Sequence, residues 1–320
     1  MAYLTILQPD ARAAARLSSA LRGVHDVVVC EDWPALERAT TDGAVDGCIV
    51  DGEYPDRETA LRLLQGLRRR LPRLAIVAYV DLSRRPTDAF RLGVAGIHGI
   101  IVPDHALRAS RIREAVEQAL AAALTSTVRA ALEGRLCPLH LDCLSWAIEH
   151  ATDAPRVGDL AAAMHSTPSS LGGKLRRADG VTPRDVLLDA RLLRAAAMLA
   201  REGRTVEATA YRLGYSSGSA LARAMRTRTG MSPSDVAARG GVAPVLAALF
   251  PRRSRRRGDT RLLKASWQAV ALLLLVGAPS ACSVPGTGEP GIDRRAIDAA
   301  IGRAPLVRNV LDEVVRGMVR

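Results

Sequence analysis

Aromatic residues are scarce in this sequence: they make up 3% of the 320 residues, and only two are phenylalanine. Cysteine is sparse too, with five residues at irregular spacing and no Cys-x-x-Cys pair. A disulfide framework and a paired-cysteine zinc site are therefore both disfavoured. A glycine-rich phosphate loop and a Ser/His/Asp arrangement are also missing. We therefore expect no catalysis, no cofactor and no metal ion.

One loose group of metal-type side chains remains, just before the middle of the chain. Its members could be gathered on a helix, and their residue types suit zinc. Without a paired-cysteine motif, packing in a protein core is the favoured interpretation. The group consists of Cys137, His140, Cys143 and His150.

Positive charge is concentrated in one part of the chain, which carries a net charge of +12. Residues 1–125 hold 16 basic and 16 acidic side chains, whereas residues 126–241 hold 16 and 11. Residues 242–264 add seven basic side chains against one acidic. The N-terminal part therefore has no electrostatic preference for an anion, but the rest predicts binding to nucleic acid or to anionic lipid. The first residues lack the basic start of a signal peptide, so we expect a cytoplasmic protein.

The N-terminal part alternates short β-type runs with segments of helical periodicity. Parallel strands need crossover connections, so this alternation predicts a parallel sheet with helices on both faces. The expected fold is an α/β flavodoxin-like domain over residues 1–125. The predicted strands are residues 4–7, 27–30, 48–50, 74–80 and 99–102, and the predicted helices are residues 13–22, 33–39, 58–71, 87–92 and 106–124.

Asp51 follows the third predicted strand, and Pro55 lies four residues later. This pattern resembles the receiver domain of response regulators, in which an aspartate at that place accepts a phosphoryl group. The resemblance also implies an acidic pair after the first strand, a hydroxyl residue after the fourth and a lysine after the fifth. Without a cation and a lysine, the charge on a transferred phosphoryl group has no counter-charge. We therefore predict a degenerate receiver-like domain, in which Asp51 is only a strand-end polar residue. The three family positions read Gln8-Pro9 (with Asp10 nearby), Ala78-Tyr79 and Val102-Pro103.

The middle part is helical in pattern and contains two similar helix-turn-helix units. The first pairs residues 157–164 with residues 168–178, where Thr167 is suited to the N-cap and Pro168 to the first helical position. Leu171, Leu175 and Ala178 recur at helical spacing and are expected to face inward. The opposite face is expected to carry DNA-binding donors, namely Ser170, Lys174 and Arg177.

The second unit repeats this plan after an apolar connecting helix that starts near Pro183 and is expected to be buried. Residues 206–213 form its first helix and residues 217–228 its second, which Gly230 ends. Leu221, Ala224 and Met225 are expected to face the core. The outward face is expected to hold Ser219, Ala222, Arg223 and Arg226.

Over roughly 100 residues this repeat resembles the AraC/XylS family of transcription regulators. The match rests on residues 214–226, which read Gly-Tyr-Ser-Ser-Gly-Ser-Ala-Leu-Ala-Arg-Ala-Met-Arg, and on Gly-Met-Ser-Pro at residues 230–233. Arg191 also falls at the family's connecting-helix arginine. The resemblance implies that the second helices of both units enter successive major-groove segments, about 34 Å apart. It also implies double-stranded DNA and RNA polymerase as partners.

The chain departs from the family pattern in its first unit. Gly173, beside Gly172, stands where the family usually has an arginine, and an interior glycine costs a helix about 1 kcal/mol relative to alanine. The first unit is therefore expected to contribute little base readout. Arg223 is the residue expected to contact a base, whereas Arg226 and Lys174 are expected to contact phosphates.

The C-terminal part contains an arginine run followed by an uncharged stretch. An uncharged stretch of about 20 residues after a basic flank is compatible with a single membrane span, with the N-terminal side in the cytoplasm. A buried or peripheral helix, a lipoprotein-like signal and a gene model that reads into its neighbour are the alternatives. The predicted order is a linker at 126–141, an AraC-type domain at 142–241, a basic linker at 242–264, a membrane or signal-like segment at 265–284 and an amphipathic tail at 285–320.

These observations predict a sequence-specific DNA-binding transcription regulator whose N-terminal domain serves dimerisation or signal input. One alternative is a response regulator that is phosphorylated at Asp51. Another is a membrane-anchored interaction protein whose helix-turn-helix units do not read DNA. A homodimer through the N-terminal domain and a tether to the inner membrane through residues 265–284 are further expectations.

Overall fold

The computed structural model describes residues 2–41, 45–82, 87–103, 107–200 and 205–251, which all belong to one compact unit, residues 1–253. The predicted membrane or signal-like segment at 265–284 and the amphipathic tail at 285–320 lie outside the described residues. Most of the predicted basic linker lies outside them as well. Among the described residues, no helix combines the length and the apolar character needed to cross a bilayer.

The N-terminal part is built on five parallel strands in the order β2-β1-β3-β4-β5. This order is that of a flavodoxin-like doubly wound sheet, as predicted. Each predicted strand is present to within about two residues at either end, the usual uncertainty of such boundaries. The strands are β1 (Tyr3–Leu7), β2 (Asp26–Cys30), β3 (Gly47–Asp51), β4 (Ala75–Tyr79) and β5 (Gly99–Ile101).

Helices cover both faces of this sheet. The central strands are almost uniformly apolar because both of their faces are buried. On one face, Leu4 and Ile6 pack with Leu17 and Val116; on the other, Leu7 packs against a separate set of helices. The helices are α1 (Ala11–Leu21), α2 (Trp33–Thr41), α3 (Arg57–Arg70), α4 (Thr87–Val94) and α5 (Ala109–Leu132).

The fifth helix, α5, is longer than the sequence predicts. Its first half contributes Ile112 and Val116 to the core beside the sheet. Its second half contributes Val128 and Leu132 to the core of the helical part. Residues 126–141, predicted as a linker, therefore contain the end of one helix and the start of the next. The buried apolar face of α5 runs along the whole helix, because its first half packs beside the sheet and its second half packs in the helical core.

The helical part contains both units and the helix that connects them. The connecting helix α9 has Val186, Ala190 and Leu193 fully buried, in agreement with its apolar sequence. Residues 242–249, predicted to belong to a basic linker, form a helix that places Val245 in the core. The helices are α6 (Pro138–Glu149), α7 (Val157–Ala163), α8 (Pro168–Asp179), α9 (Pro183–Leu199), α10 (Val206–Arg212), α11 (Gly218–Thr229), α12 (Pro233–Ala238) and α13 (Val242–Leu249).

Glu117 of α5 links the α/β part to the second helix-turn-helix unit. Its carboxylate lies 3.6 Å from the guanidinium of Arg194 on α9 and 3.9 Å from that of Arg212 at the end of α10. The same carboxylate lies 3.7 Å from the buried ring of His25, which precedes β2. One acidic side chain thus faces basic groups from both parts of the protein.

Candidate nucleic-acid interface

The second helices of the two units, α8 and α11, are the predicted recognition helices, a name kept for them below, and they are built alike. Thr167 and Ser217 are their N-caps, and each side-chain oxygen accepts a backbone N–H at 3.2 Å. Both helices have 12 residues and end at a glycine in the left-handed region, Gly180 or Gly230, each with φ of 74°. The two helices can therefore be compared position by position.

Each recognition helix is held to the core by two apolar side chains one turn apart. Leu171 and Leu175 of α8 are fully buried, as are Leu221 and Met225 of α11. Ala224 is partly buried against the same core. Ala178, predicted to face inward, is exposed, because the buried stripe of α8 ends at Leu175.

The residues predicted to contact DNA lie mostly on the surface. Arg223 is exposed and forms no hydrogen bond or ion pair with any residue in the described ranges, so its donors are free for a ligand. Lys174 and Arg177 of α8 are in the same situation. Six of the seven predicted residues are exposed, namely Ser170, Lys174, Arg177, Ser219, Arg223 and Arg226, and Ala222 is half-buried.

Counting back from the terminal glycines shows which positions of the two helices are equivalent. Arg223 corresponds to Gly173, and Arg226 corresponds to Arg176, which is exposed. The predicted α8 residues Ser170, Lys174 and Arg177 lie about 100° around the helix axis from the positions that match the α11 set. The counterparts of Ser219, Ala222, Arg223 and Arg226 are Ser169, Gly172, Gly173 and Arg176. The shared caps are the signal that identifies Ser169 and Arg176.

The turns before the two recognition helices use different residues in the same conformation. His165 of the first unit has φ of 47°, and Gly214 of the second has φ of 75°. In the second unit, the Glu207 carboxylate accepts the backbone N–H of Gly218 at 2.8 Å, which joins α10 to the start of α11. A Cβ at residue 218 would overlap this carboxylate, so the Glu207 side chain would have to move and its hydrogen bond to the start of α11 would be disturbed.

The C-terminal ends of the recognition helices are tied to different helices. Asp179, the last residue of α8, accepts hydrogen bonds from the buried His140 ring and from the backbone N–H of Cys137, both at 3.0 Å. Partial burial opposes ionisation of Asp179, but these hydrogen bonds outweigh it and lower its pKa. In α11, Arg228 instead donates two hydrogen bonds to Asp189 of α9, at 2.7 and 3.0 Å.

Arg191, at the family's connecting-helix arginine, has a supporting place in the structure. Its guanidinium donates to the carbonyl oxygen of Pro155 at 3.2 Å, which ties α9 to the chain just before α7. Arg191 is half-buried and therefore belongs to the scaffold of the first unit rather than to its outer face.

The Cys/His group around α6 is spread over packing contacts. His140 bonds Asp179, whereas His150 stacks on Trp146 with ring centroids 4.3 Å apart. Cys143 is buried, and burial raises the pKa of its thiol to about 11, so the thiolate that zinc prefers is disfavoured. Within the part of the chain that the structure describes, no group of three or more His, Cys, Asp or Glu side chains could hold a metal ion.

Asp51 lies at the end of β3, where a receiver domain has its phosphoacceptor. Its side chain accepts the backbone N–H of Glu53 at 2.8 Å and is hydrogen-bonded to the neutral side chain of Gln8. Burial raises the pKa of Asp51 despite these hydrogen bonds. Asp10, the nearest acid after β1, accepts a backbone N–H as the N-cap of α1. Among the residues that the structure describes at this edge, Asp51 is therefore bonded to an amide, and the nearest acid after β1 caps a helix.

Comparison with known proteins places a family match on the helical part. Residues 160–239, from α7 to the end of α12, match a family model described as a helix-turn-helix domain. No curated protein sequence matches the chain.

Three solved structures are similar to parts of the chain. A DNA-binding transcriptional dual regulator from Escherichia coli K-12 is 22% identical, with 32% of this chain and 96% of that chain covered and a TM-score of 0.29. A response regulator receiver protein from Pseudoalteromonas atlantica is 19% identical, with coverage of 37% and 96% and a TM-score of 0.33. The RcsB response regulator from Salmonella typhimurium is 17% identical, with coverage of 55% and 90% and a TM-score of 0.32.

Proposed function

We propose that this protein, a DNA-binding regulator with an AraC-type helix-turn-helix domain at residues 160–239, recognises a defined duplex sequence through α8 and α11 together. The observation that carries the proposal is the pair of matched recognition helices, with equal length and equal caps, joined by the buried helix α9. Two such helices on one shared core suit two successive major-groove segments, which lie about 34 Å apart in duplex DNA.

The side chains divide between base and phosphate contacts. Arg223 is the proposed base contact, since it is exposed, unpaired within the described ranges and able to donate two hydrogen bonds to a guanine. Arg226 and Lys174 are the proposed phosphate contacts, because cations at the border of the interface position the protein without reading sequence. The remaining surface of the two helices is formed by Ser170, Arg177, Ser219 and Ala222, together with the matched residues Ser169 and Arg176.

The experiment that tests this function uses the purified full chain and a pool of random-sequence duplexes. Selection should enrich one duplex, and footprinting should then show protection over two adjacent major-groove segments on one face. Binding to the selected duplex should exceed binding to a scrambled duplex by about 10³-fold or more at physiological salt. Equal binding to both duplexes at every salt concentration would leave only a basic surface and would disprove sequence-specific regulation.

The N-terminal domain is proposed to serve signal input or dimerisation without phosphotransfer. Its link to the second unit through Glu117, 3.6 Å from Arg194, gives a route by which a change in the domain reaches the DNA-binding part. At Asp51, the amide of Gln8 stands where the receiver resemblance implies an acid, so a divalent cation is expected to bind weakly there. Incubation with a small phosphodonor and Mg²⁺ should leave the chain without acid-labile phosphate; labelling that Asp51→Asn abolishes would establish the response-regulator alternative.

An exposed apolar strip on α4 supports a homodimer through this domain. Phe90 and Val94 lie one turn apart and are 76% and 70% exposed, and Val102 beyond β5 is 40% exposed. Such a strip suits a second copy of the same domain, because a two-fold interface buries the same patch on both partners.

Sedimentation velocity tests the dimer with the double variant Phe90→Ser/Val94→Ser. The wild-type chain should sediment as a dimer and the variant as a monomer. Val29→Ser, at the 47% exposed edge strand β2, is the control and should leave the dimer intact. A monomeric wild type, or a variant that stays dimeric, would refute this interface.

The proposed partners are double-stranded DNA and RNA polymerase, the latter as the family resemblance implies, and the proposed work is binding without catalysis. The proposed location is at the DNA in the cytoplasm. Nothing in this proposal depends on a membrane tether.

A further inference from the structure

The last turn of α11 carries an arginine that faces the protein instead of a DNA ligand. Arg228 follows Leu221 and Met225 at spacings of seven and three residues, so it continues the buried stripe of the helix. Its Nε and one terminal nitrogen donate to the two carboxylate oxygens of Asp189, at 2.7 and 3.0 Å. The other terminal nitrogen lies 3.6 Å from the carboxylate of Asp185, one turn earlier on α9.

The burial of these groups makes the contact directional. Asp189 is 3% exposed, whereas Arg228 is half-buried with its charged end turned toward α9. A planar guanidinium that bonds both oxygens of one carboxylate fixes distance and orientation at once. The apolar contacts of Leu221 and Met225 have no preferred direction, whereas a forked ion pair near the end of the helix restricts its rotation about its own axis.

We propose that Arg228 and Asp189 are positioning residues, which hold α11 at the rotation that aims Arg223 at a base edge. The proposal rests on the proposed function. A guanidinium roughly 10 Å from the helix axis moves roughly 3 Å when the helix turns by about 20°, which exceeds the tolerance of a hydrogen bond. Phosphate contacts tolerate such a shift better, because they depend on charge more than on alignment. Loss of the fork is therefore expected to reduce sequence discrimination more than general DNA affinity.

The test compares two duplexes, the one selected by the wild-type full chain and its scrambled version. Arg228→Lys keeps the charge but loses the fork, so affinity for the selected duplex should fall by about tenfold or more, with affinity for the scrambled duplex changed by less than about twofold. Arg129→Lys is the matched control: Arg129 pairs with Asp142 at 2.8 Å on the surface, and its replacement should leave both affinities unchanged.

A merely structural role predicts a different result. If Arg228→Lys lowers both affinities by the same factor, or changes neither, the positioning role is refuted. If this variant fails to fold, the double variant Arg228→Gln/Asp189→Asn, which buries no unpaired charge, takes its place with the same expected ratio. Failure of both to fold would show that the pair maintains the fold itself, which also overturns the proposal. A wild-type chain that discriminates between no duplexes would refute the proposed function instead.

Discussion

The two helix-turn-helix units share their caps and their length, but they differ at the turn and in the middle of the recognition helix. The second unit has Gly214 where the chain needs a positive φ, and the exposed Arg223 in the middle of α11. The first unit has His165 in that strained turn, and Gly172 and Gly173 inside α8. A repeated fold can thus be kept while the surface of its recognition helix changes, and we infer that the second unit reads bases and the first mainly positions the protein.

The largest expected effect is on sequence-specific binding. Arg223→Ala should weaken binding to the selected duplex by about 1–3 kcal/mol and relax the preference at one base pair, because a bidentate contact is lost. Lys174→Ala should instead weaken binding to all duplexes alike and reduce the salt dependence by about one charge. Fluorescence anisotropy at several salt concentrations separates the two. If Arg223→Ala weakens binding to all duplexes equally, Arg223 contacts the backbone as Lys174 does, and the proposed difference between the two units is wrong.

The next effect is on stability, at the turns. Gly214→Ala should destabilise the domain by about 1–2 kcal/mol, because a left-handed conformation is costly for a residue with a side chain. The new Cβ would also lie 3.1 Å from that of Ala154. His165→Gly should stabilise the domain by up to about 1 kcal/mol for the same reason. Urea denaturation of both variants measures the difference, and a stabilising Gly214→Ala would contradict it.

A smaller effect is expected in the middle of α8. Gly173→Ala should raise the free energy of unfolding by up to about 1 kcal/mol, since alanine is the better helix former. The nearest atom to the added Cβ is Arg177 Nη1 at 3.6 Å, an ordinary contact. Gly218→Ala in α11 is the control and should destabilise, because its Cβ would displace the Glu207 carboxylate. Thermal unfolding measures the change in stability of both variants, and a destabilised Gly173→Ala would contradict the prediction. Loss of specific binding in Gly173→Ala would instead show that the first unit approaches a base closely.

The smallest effect is the acid response of the first unit. Hydrogen bonds from Cys137 and His140 lower the pKa of Asp179 in the folded protein. The carboxylate therefore contributes stability above its unfolded pKa, and this contribution is lost as pH falls through the lower folded value. In Asp179→Asn, unfolding free energy should decline less between pH 5 and pH 3 than in the wild type. If the variant keeps the wild-type pH profile, the ionisation of Asp179 does not contribute to the loss of stability in acid.

Periodicity predicted most of the fold, because the apolar residues of each helix or strand recur at the spacing of its buried face. The strands were found to within about two residues, and Thr167 caps α8 as predicted. The prediction failed for Ala178, which has the right spacing but lies beyond the last buried turn. The prediction also failed for the end of α5 and for α13, which were assigned to linkers. Their apolar residues are buried against the helical core, and the sequence does not show which surface they pack on.

The site was predicted less completely than the fold. The exposed side chains of α11 follow from helical spacing, and Arg223 lies on its surface as expected. Spacing alone did not identify Ser169 and Arg176 as the α8 counterparts, since that comparison needs the two helices aligned by their terminal glycines. Helical spacing places Arg228 on the same face as the buried Leu221 and Met225, but its partner there, Asp189, is known only from the two hydrogen bonds of the structure.

The local elements, the alternation that produces a parallel sheet, the two helix-turn-helix units and the basic middle of the chain all follow from the sequence alone. Those properties depend on neighbouring residues and on average charge, which the chain carries in any conformation. Three other features follow only from the folded structure: how α5 joins two cores, which residue anchors the end of each recognition helix, and which of the described arginines have no protein partner. These depend on contacts between residues far apart in the chain, such as Asp179 with His140 and Arg228 with Asp189, and such contacts leave no periodic trace in the sequence.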